Sequence, residues 1–375
     1  MNESDKKPYI NRQYRTGWFS LACPYKIRAM SNSETEISKL GEFGLIRHLT
    51  DGIEPVNEST VLGVGDDAAI MDYGDREVLV TTDLLLEGIH FDLRYVPLKH
   101  LGYKAAVVNF SDIYAMFGTP RQITVSLGIS SRFTTEHIEE LYSGIRLACE
   151  HYGVDLVGGD TSASVTGLII SITCLGDVEK GKAVKRSGAK ENDLLCVSGD
   201  LGAAYMGLRL LERENSVAAE IKDKDFTPDF AGKEYIIERQ LKPEARRDIV
   251  AKLKEKGITP TSMMDVSDGL SSELLHICTD SHVGCRVYED KIPIDYQTAS
   301  MAEEMHISPV TAAMNGGEDY ELLFTVPLTD LRKVEFINGV RMIGYITREE
   351  LGCAVITPNG SEMPVKAQGW NAFGQ

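Results

Sequence analysis

The sequence predicts a mixed α/β (α/β or α+β) chain of two domains, and three observations predict it. At 375 residues it is too long for one small core, and units of roughly 150–200 residues are the ordinary division. Apolar, β-rich runs alternate with helical patterns, less strictly than in a chain of βαβ units. A polar, glycine-containing stretch at residues 180–193 separates two such halves. The expected division is residues 34–180 and 181–375, behind an extension at 1–33.

The extension reads differently from the rest. Residues 1–30 hold Lys6, Lys7, Arg12, Arg15, Lys26 and Arg28 against Glu3 and Asp5. The apolar run at 18–23 is broken by Ser20 and is too short for a secretory core. The expectation is a disordered or artefactual segment ahead of Met30. Strand-like runs follow at 78–83, 122–129, 167–178, 193–202, 261–269 and 320–326. Helical patterns occupy 99–117, 135–152, 203–213, 244–256 and 269–280, and residues 214–235 read as a surface excursion.

Composition excludes several functions. Asp and Glu number 56 against 39 Lys and Arg, a net charge of −17 with no basic run. Such a chain has no general attraction for nucleic acid or an anionic membrane, so phosphates would be met through metal ions or a few placed cations. No stretch approaches the roughly 18–20 apolar residues that span a bilayer. The seven cysteines are odd in number and show no C-x-x-C spacing. They signal neither a disulfide framework nor a zinc site, and read as free thiols in a reducing, cytoplasmic setting.

Acids gather at the ends of apolar runs, in GVGDDAAI (63–70), VLVTTD (78–83), DLVGGDTS (155–162) and MMDVSDGL (263–270), and just before one in NGGEDYELLF (315–324). Each alone is compatible with an ordinary turn; five together are harder to explain that way. Clustered carboxylates repel unless a cation neutralises them, and hard oxygen donors without a His or Cys cluster suit Mg²⁺, Mn²⁺ or Ca²⁺ better than zinc. Asp112 falls on the stripe Leu101, Ala105, Val108, Ala115 and Met116 at helical spacing, with Asn109 one turn before it. A carboxylate there needs a buried cationic partner or a metal ion. Asp268 precedes a helical run, so it is either an N-cap or a phosphate-facing metal ligand, a reading that Asp265 and Ser267 on the same side support. The chain lacks G-x-x-x-x-G-K-[ST], kinase loops and a G-x-S-x-G elbow.

The ordered set GEFGLI (41–46), GDDAA (65–69), TTDLLLEGIHF (81–91), KAAVVNFSDIYAMFGTP (104–120), GGDT (158–161), RSGAK (186–190), DVSDGL (265–270) and GGEDYELLF (316–324) resembles the thiamine-monophosphate kinase family. That family belongs to the superfamily of aminoimidazole ribonucleotide synthetase, selenophosphate synthetase and a hydrogenase maturation protein. The resemblance spans residues 40–375. It implies ATP-dependent phosphorylation of thiamine monophosphate to thiamine diphosphate, with ATP as co-substrate and several Mg²⁺ ions. It also implies an N-terminal domain that dimerises through its sheet and a C-terminal domain that completes the site. Carried over residue by residue, it assigns metal to Asp67, Thr82, Asp83, Asp112, Asp160, Asp265 and Asp268. ATP falls to Thr81, Gly159, Asp160, Arg186, Ser267 and, less firmly anchored, Tyr142. Substrate falls to His90, Glu318 and Trp370. For His90 a buried structural role, and for Glu318 a turn role, stand beside these assignments. No general base is assigned, because a phosphate oxygen is already ionised near neutral pH. Sister enzymes and a non-catalytic nucleotide-binding protein on the same scaffold are the alternatives. Nothing functional carries over to residues 1–30.

Overall fold

In the structure, a computed structural model, residues 60–63, 65–221, 228 and 230–367 are described. The expectations for residues 1–33 and for Trp370 lie outside them. The first sheet is made of β1 (Thr60–Leu62), β2 (Ala69–Asp72), β3 (Arg76–Leu86), β4 (Thr119–Ile129), β5 (Asp155–Ala163) and β6 (Ile169–Glu179). Their order is β1-β2-β3-β6-β4-β5, antiparallel except for the β4–β5 pair. Along β6 every second residue is buried, the period-two signature of a sheet with one face on a core.

Two helices cover that face, α1 (Leu98–Ala115) and α2 (Thr135–Tyr152). The apolar stripe expected on α1 is not what distinguishes it: fifteen of its eighteen residues are buried. The cause is position, because α1 is packed by β3, β4 and β6, by α2, and by elements of the second sheet's half. Asp112 is one of the few α1 residues that is only half-buried.

The α1–α2 crossing depends on two glycines. A Cβ on Gly144 would lie 1.8 Å from the Lys99 carbonyl oxygen, and one on Gly102 would lie 2.0 Å from that of Leu141. Backbone therefore meets backbone, and neither side can yield by rotating a side chain. Gly144→Ala is expected to push the helices apart and cost about 1–3 kcal/mol or more, read as a lowered thermal midpoint. An unchanged midpoint would contradict this packing.

The second sheet comprises β7 (Leu194–Ser198), β8 (Ser262–Asp265), β9 (Val283–Tyr288), β10 (Leu322–Val326), β11 (Val340–Arg348), β12 (Cys353–Ile356) and β13 (Glu362–Pro364). Their order is β13-β12-β9-β11-β7-β10-β8, antiparallel except for β9–β12. Its helices are α3 (Ala203–Ile221), α4 (Glu234–Leu241), α5 (Arg247–Glu255), α6 (Leu270–Ser281), α7 (Tyr296–Glu304), α8 (Pro309–Asn315) and the one-turn α9 (Leu331–Val334). Helix α3 runs eight residues past the end expected at 213. Its charged C-terminal half stays helical as a solvated face tied down at Arg213, which pairs with Glu304 on α7 at 2.7 Å. All the described residues fall within one compact unit.

Candidate active site

Four acids meet where three elements end. Asp67 lies in the loop between β1 and β2, Asp83 lies on β3, Asp112 in the last turn of α1, and Asp265 ends β8. Carboxylate oxygens of Asp67, Asp112 and Asp265 lie within 4.8 Å of one another. Asp83 joins them electrostatically, since its charge is the largest repulsion acting on Asp112. Strand alternation explains the lining: Thr81 and Asp83 share one side of β3, facing α1. The Thr81 hydroxyl donates to Asp112 Oδ2 at 2.6 Å, and the Asp83 amide donates to Asn109 Oδ1 at 3.2 Å. The Ser111 hydroxyl donates to Asp265 Oδ2 at 2.5 Å.

One cation is built into this cluster. The Arg186 guanidinium donates to Asp67 Oδ1 at 2.5 Å and 3.2 Å. Its amide donates to the Asp66 carboxylate at 3.1 Å, and its carbonyl accepts from the Ser262 hydroxyl at 2.6 Å. Five acids, counting Asp66, thus face one arginine that is fixed at both backbone and side chain.

The imbalance shows in the titration. Burial, followed by the Asp67 charge, pushes Asp66 up to about 7, and burial pushes Asp83 up to about 6. Burial and the Asp67 charge push Asp265 up to about 7, and burial with the charges of Asp83, Asp265 and Asp67 holds Asp112 well above the usual range. An acid whose pKa is higher folded than unfolded stabilises the fold in its protonated form. That contribution is whole below about pH 4 and is lost as pH rises through 6–7. The ligand-free protein is therefore expected to melt at lower temperature at pH 8 than at pH 5. A midpoint that rises across this window would contradict the arrangement.

A divalent cation fits the donor set. Asp67 Oδ2 is buried with no hydrogen-bond partner, an orphaned acceptor of the kind a metal ion satisfies. The acids offer only hard oxygen donors, the preference of Mg²⁺.

A second constellation stands beside the first. Glu318 has φ of +60° in the turn N-G-G-E-D-Y, and its amide donates to the Ser267 carbonyl at 2.6 Å. This joins its loop to the Ser267–Asp268 loop. Its side chain accepts from Lys104 at 2.7 Å and Gln240 at 3.0 Å, so it does not cap backbone amides as the turn reading required. Asp268 is not the N-cap of α6; Gly269 is, while the Asp268 amide donates to buried Glu273 at 2.9 Å. His90 is exposed beyond the end of β3, its Nδ1 accepting from the Leu86 amide at 3.0 Å, so the buried reading fails.

Four expected positions do not reach the acids within one chain. Thr82 points to the opposite side of β3, bonding the Ile172 carbonyl at 3.1 Å, because neighbouring strand residues face opposite ways. Gly159 and Asp160 lie on β5, with β6 and β4 between them and β3; three strand spacings come to roughly 14 Å. Tyr142 is half-buried on α2, next in sequence to Leu141, which meets Gly102 of α1, and ten residues of helix from Gly102 to Asp112 span about 15 Å. Conversely, Lys104, Ser111 and Gln240 line the site without having been singled out. For Lys104 the signal existed: a cation inside the stretch LGYKAAVV (101–108), which is otherwise apolar apart from the Tyr103 hydroxyl.

Residues 65–178 match the model of the AIR synthase related protein, N-terminal domain. The chain is 32% identical over 344 residues to the thiamine-monophosphate kinase of Bacillus subtilis, covering 89% of this chain and all of the relative. It is 35% identical over 319 residues to that of Aquifex aeolicus, covering 82% and 96%. Among solved structures, "AaThiL complexed with AMPPCP and TMP" superposes with a TM-score of 0.76 at 33% identity, covering 90% of this chain and 99% of that one. With likeness of this extent in sequence and structure, over a fold whose acids converge in one place, this chain belongs to the thiamine-monophosphate kinase family.

Proposed function

We propose that this kinase passes the terminal phosphoryl group of ATP directly and in line to thiamine monophosphate, giving thiamine diphosphate, at a site that holds Mg²⁺ ions. The observation that carries the reading is the convergence of Asp67, Asp112 and Asp265 with one arginine among them. Two anionic phosphates must meet here, so the site has to neutralise and align them. Mg²⁺, once bound, would neutralise phosphate charge and so lower the repulsion between the two reactants. Asp67, Asp83, Asp112 and Asp265 are the residues to hold it, with Asp268 at the neighbouring loop. Arg186, already fixed by Asp66 and Ser262, offers its guanidinium to the phosphates, and Thr81 and Ser267 border the nucleotide. Glu318, held by Lys104 and Gln240, and His90 are read as substrate contacts. The acceptor oxygen is ionised, so no residue needs to act as general base.

The first sheet and its helices are read as the ATP- and metal-binding domain, and the part from 181 onward as the one that completes the site. A homodimer through the first sheet is part of the proposal. All nine residues of edge strand β5 are exposed, Val157 at 60%, and a long open edge of this kind invites pairing. Gly159 and Asp160 lie on that strand and would be covered by the second copy. A cytoplasmic location accords with the free thiols at Cys149, Cys174 and Cys196. Among the described residues no helix is long and apolar enough to cross a membrane.

The test is direct. Purified protein given ATP, Mg²⁺ and thiamine monophosphate should form thiamine diphosphate and ADP, and EDTA should stop it. An inert thiamine monophosphate alongside brisk transfer to another phosphate acceptor would reject the reading.

A further inference from the structure

Three of the cysteines that local spacing left unconnected meet in space. Cys278 is in the last turn of α6, Cys285 is on β9, and Cys353 opens β12. Strands β9 and β12 run parallel with Cys285 and Cys353 paired in register, so the two side chains emerge on the same face. Cys278 descends on that face from the helix, and the three Sγ atoms lie within 4.8 Å of one another. Cys278 and Cys285 are buried and Cys353 is partly open. A cation bound at the usual metal–thiolate distance of about 2.3 Å holds its sulfurs roughly 3.8 Å apart in a tetrahedral shell, so the three thiols need only small shifts to share one ion.

The surroundings suit an anionic site. The Arg286 guanidinium lies near Cys353, donating to the carbonyls of Cys285 and Gly352, each at 2.9 Å, and of Leu351 at 3.1 Å, and pairing with Glu362 at 3.0 Å.

We infer that Cys278, Cys285 and Cys353 form a binding site for a thiophilic d¹⁰ cation, Zn²⁺ in the first instance, separate from the carboxylate site and open at its fourth position to water or an external ligand. Soft thiolates select such ions over Mg²⁺. On binding, each thiol still protonated releases its proton to solvent, and the tris-thiolate site holding a divalent ion carries one net negative charge.

Cobalt is the probe. The full chain, reduced and kept in saturating Mg²⁺, is titrated with Co²⁺ and followed by absorption. The expected result is a sulfur-to-cobalt charge-transfer band and visible bands of four-coordinate cobalt, saturating at one equivalent and displaced by Zn²⁺. Cys353→Ser and Cys353→Ala should each abolish the charge-transfer band while keeping the parent's melting behaviour. Cys149→Ser, in the other half, should retain it. Co²⁺ bound without that band, a band that survives both Cys353 variants, or a disulfide among the three cysteines in freshly purified protein would each overturn the assignment.

Discussion

Replacing Asp112 with asparagine is expected to lower turnover by at least about 10²-fold, the scale of losing one electrostatic partner of a transition state. The ligand-free variant should be as stable as the parent, within about 1 kcal/mol, or somewhat more stable. The two halves of this expectation have one cause. In the ligand-free protein the charges acting most strongly on Asp112 are those of Asp83, Asp265 and Asp67, so removing its charge relieves repulsion. The Thr81 hydroxyl, 2.6 Å away, can bond an amide oxygen as well as a carboxylate. On the proposed reading, the same change removes an anionic metal ligand from the working enzyme. A buried cationic partner for Asp112 would reverse the stability result, because stranding it would cost about 3–5 kcal/mol. Thermal melts and initial rates on parent and Asp112→Asn decide the matter.

The largest loss of stability should come from a different acid. Glu321 is 1% exposed and accepts from three groups: Arg239 at 3.0 Å, Arg246, and the Ser198 hydroxyl. Both guanidiniums are themselves largely buried. Glu321→Ala leaves them facing a void with only part of their compensation, from Asp248 at 3.0 Å and Asp319 at 4.0 Å. Breaking a buried pair from one side costs about 3–5 kcal/mol, a fall in melting temperature on the order of 10 °C. A loss below about 1 kcal/mol would mean that the neighbouring acids take over the two arginines.

How far the sequence could be read depended on whether a signal was local. Acids at strand ends are local, and Asp67, Asp83, Asp112 and Asp265 converge as their motifs suggested. Asp112 was expected on a shielded apolar stripe, but α1 is buried on nearly every side, carries no single stripe, and leaves Asp112 only half-buried. Contacts between distant segments left no trace. Lys104 meets Glu318 across 214 residues. The thiol cluster joins positions 278, 285 and 353 at spacings that no short motif encodes. Thr82, Gly159, Asp160 and Tyr142 show the opposite limit. Family motifs named them, but strand alternation (Thr82), strand order (Gly159 and Asp160) and a place on helix α2 (Tyr142) keep them away from the acids of their own chain. Helices α4, α7 and α8 and strands β1, β2, β9, β11, β12 and β13 were not marked in sequence either; most are short, and short elements carry little periodicity of their own.

The central claim is that the converging carboxylates hold divalent ions for the phosphates. It is tested most directly by counting Mn²⁺ with electron paramagnetic resonance in the presence of a non-hydrolysable ATP analogue, on the parent and on Asp112→Asn. The parent should bind Mn²⁺ together with the nucleotide, and the variant should bind fewer ions or bind them markedly more weakly. Equal number and equal affinity in the two proteins would contradict the account.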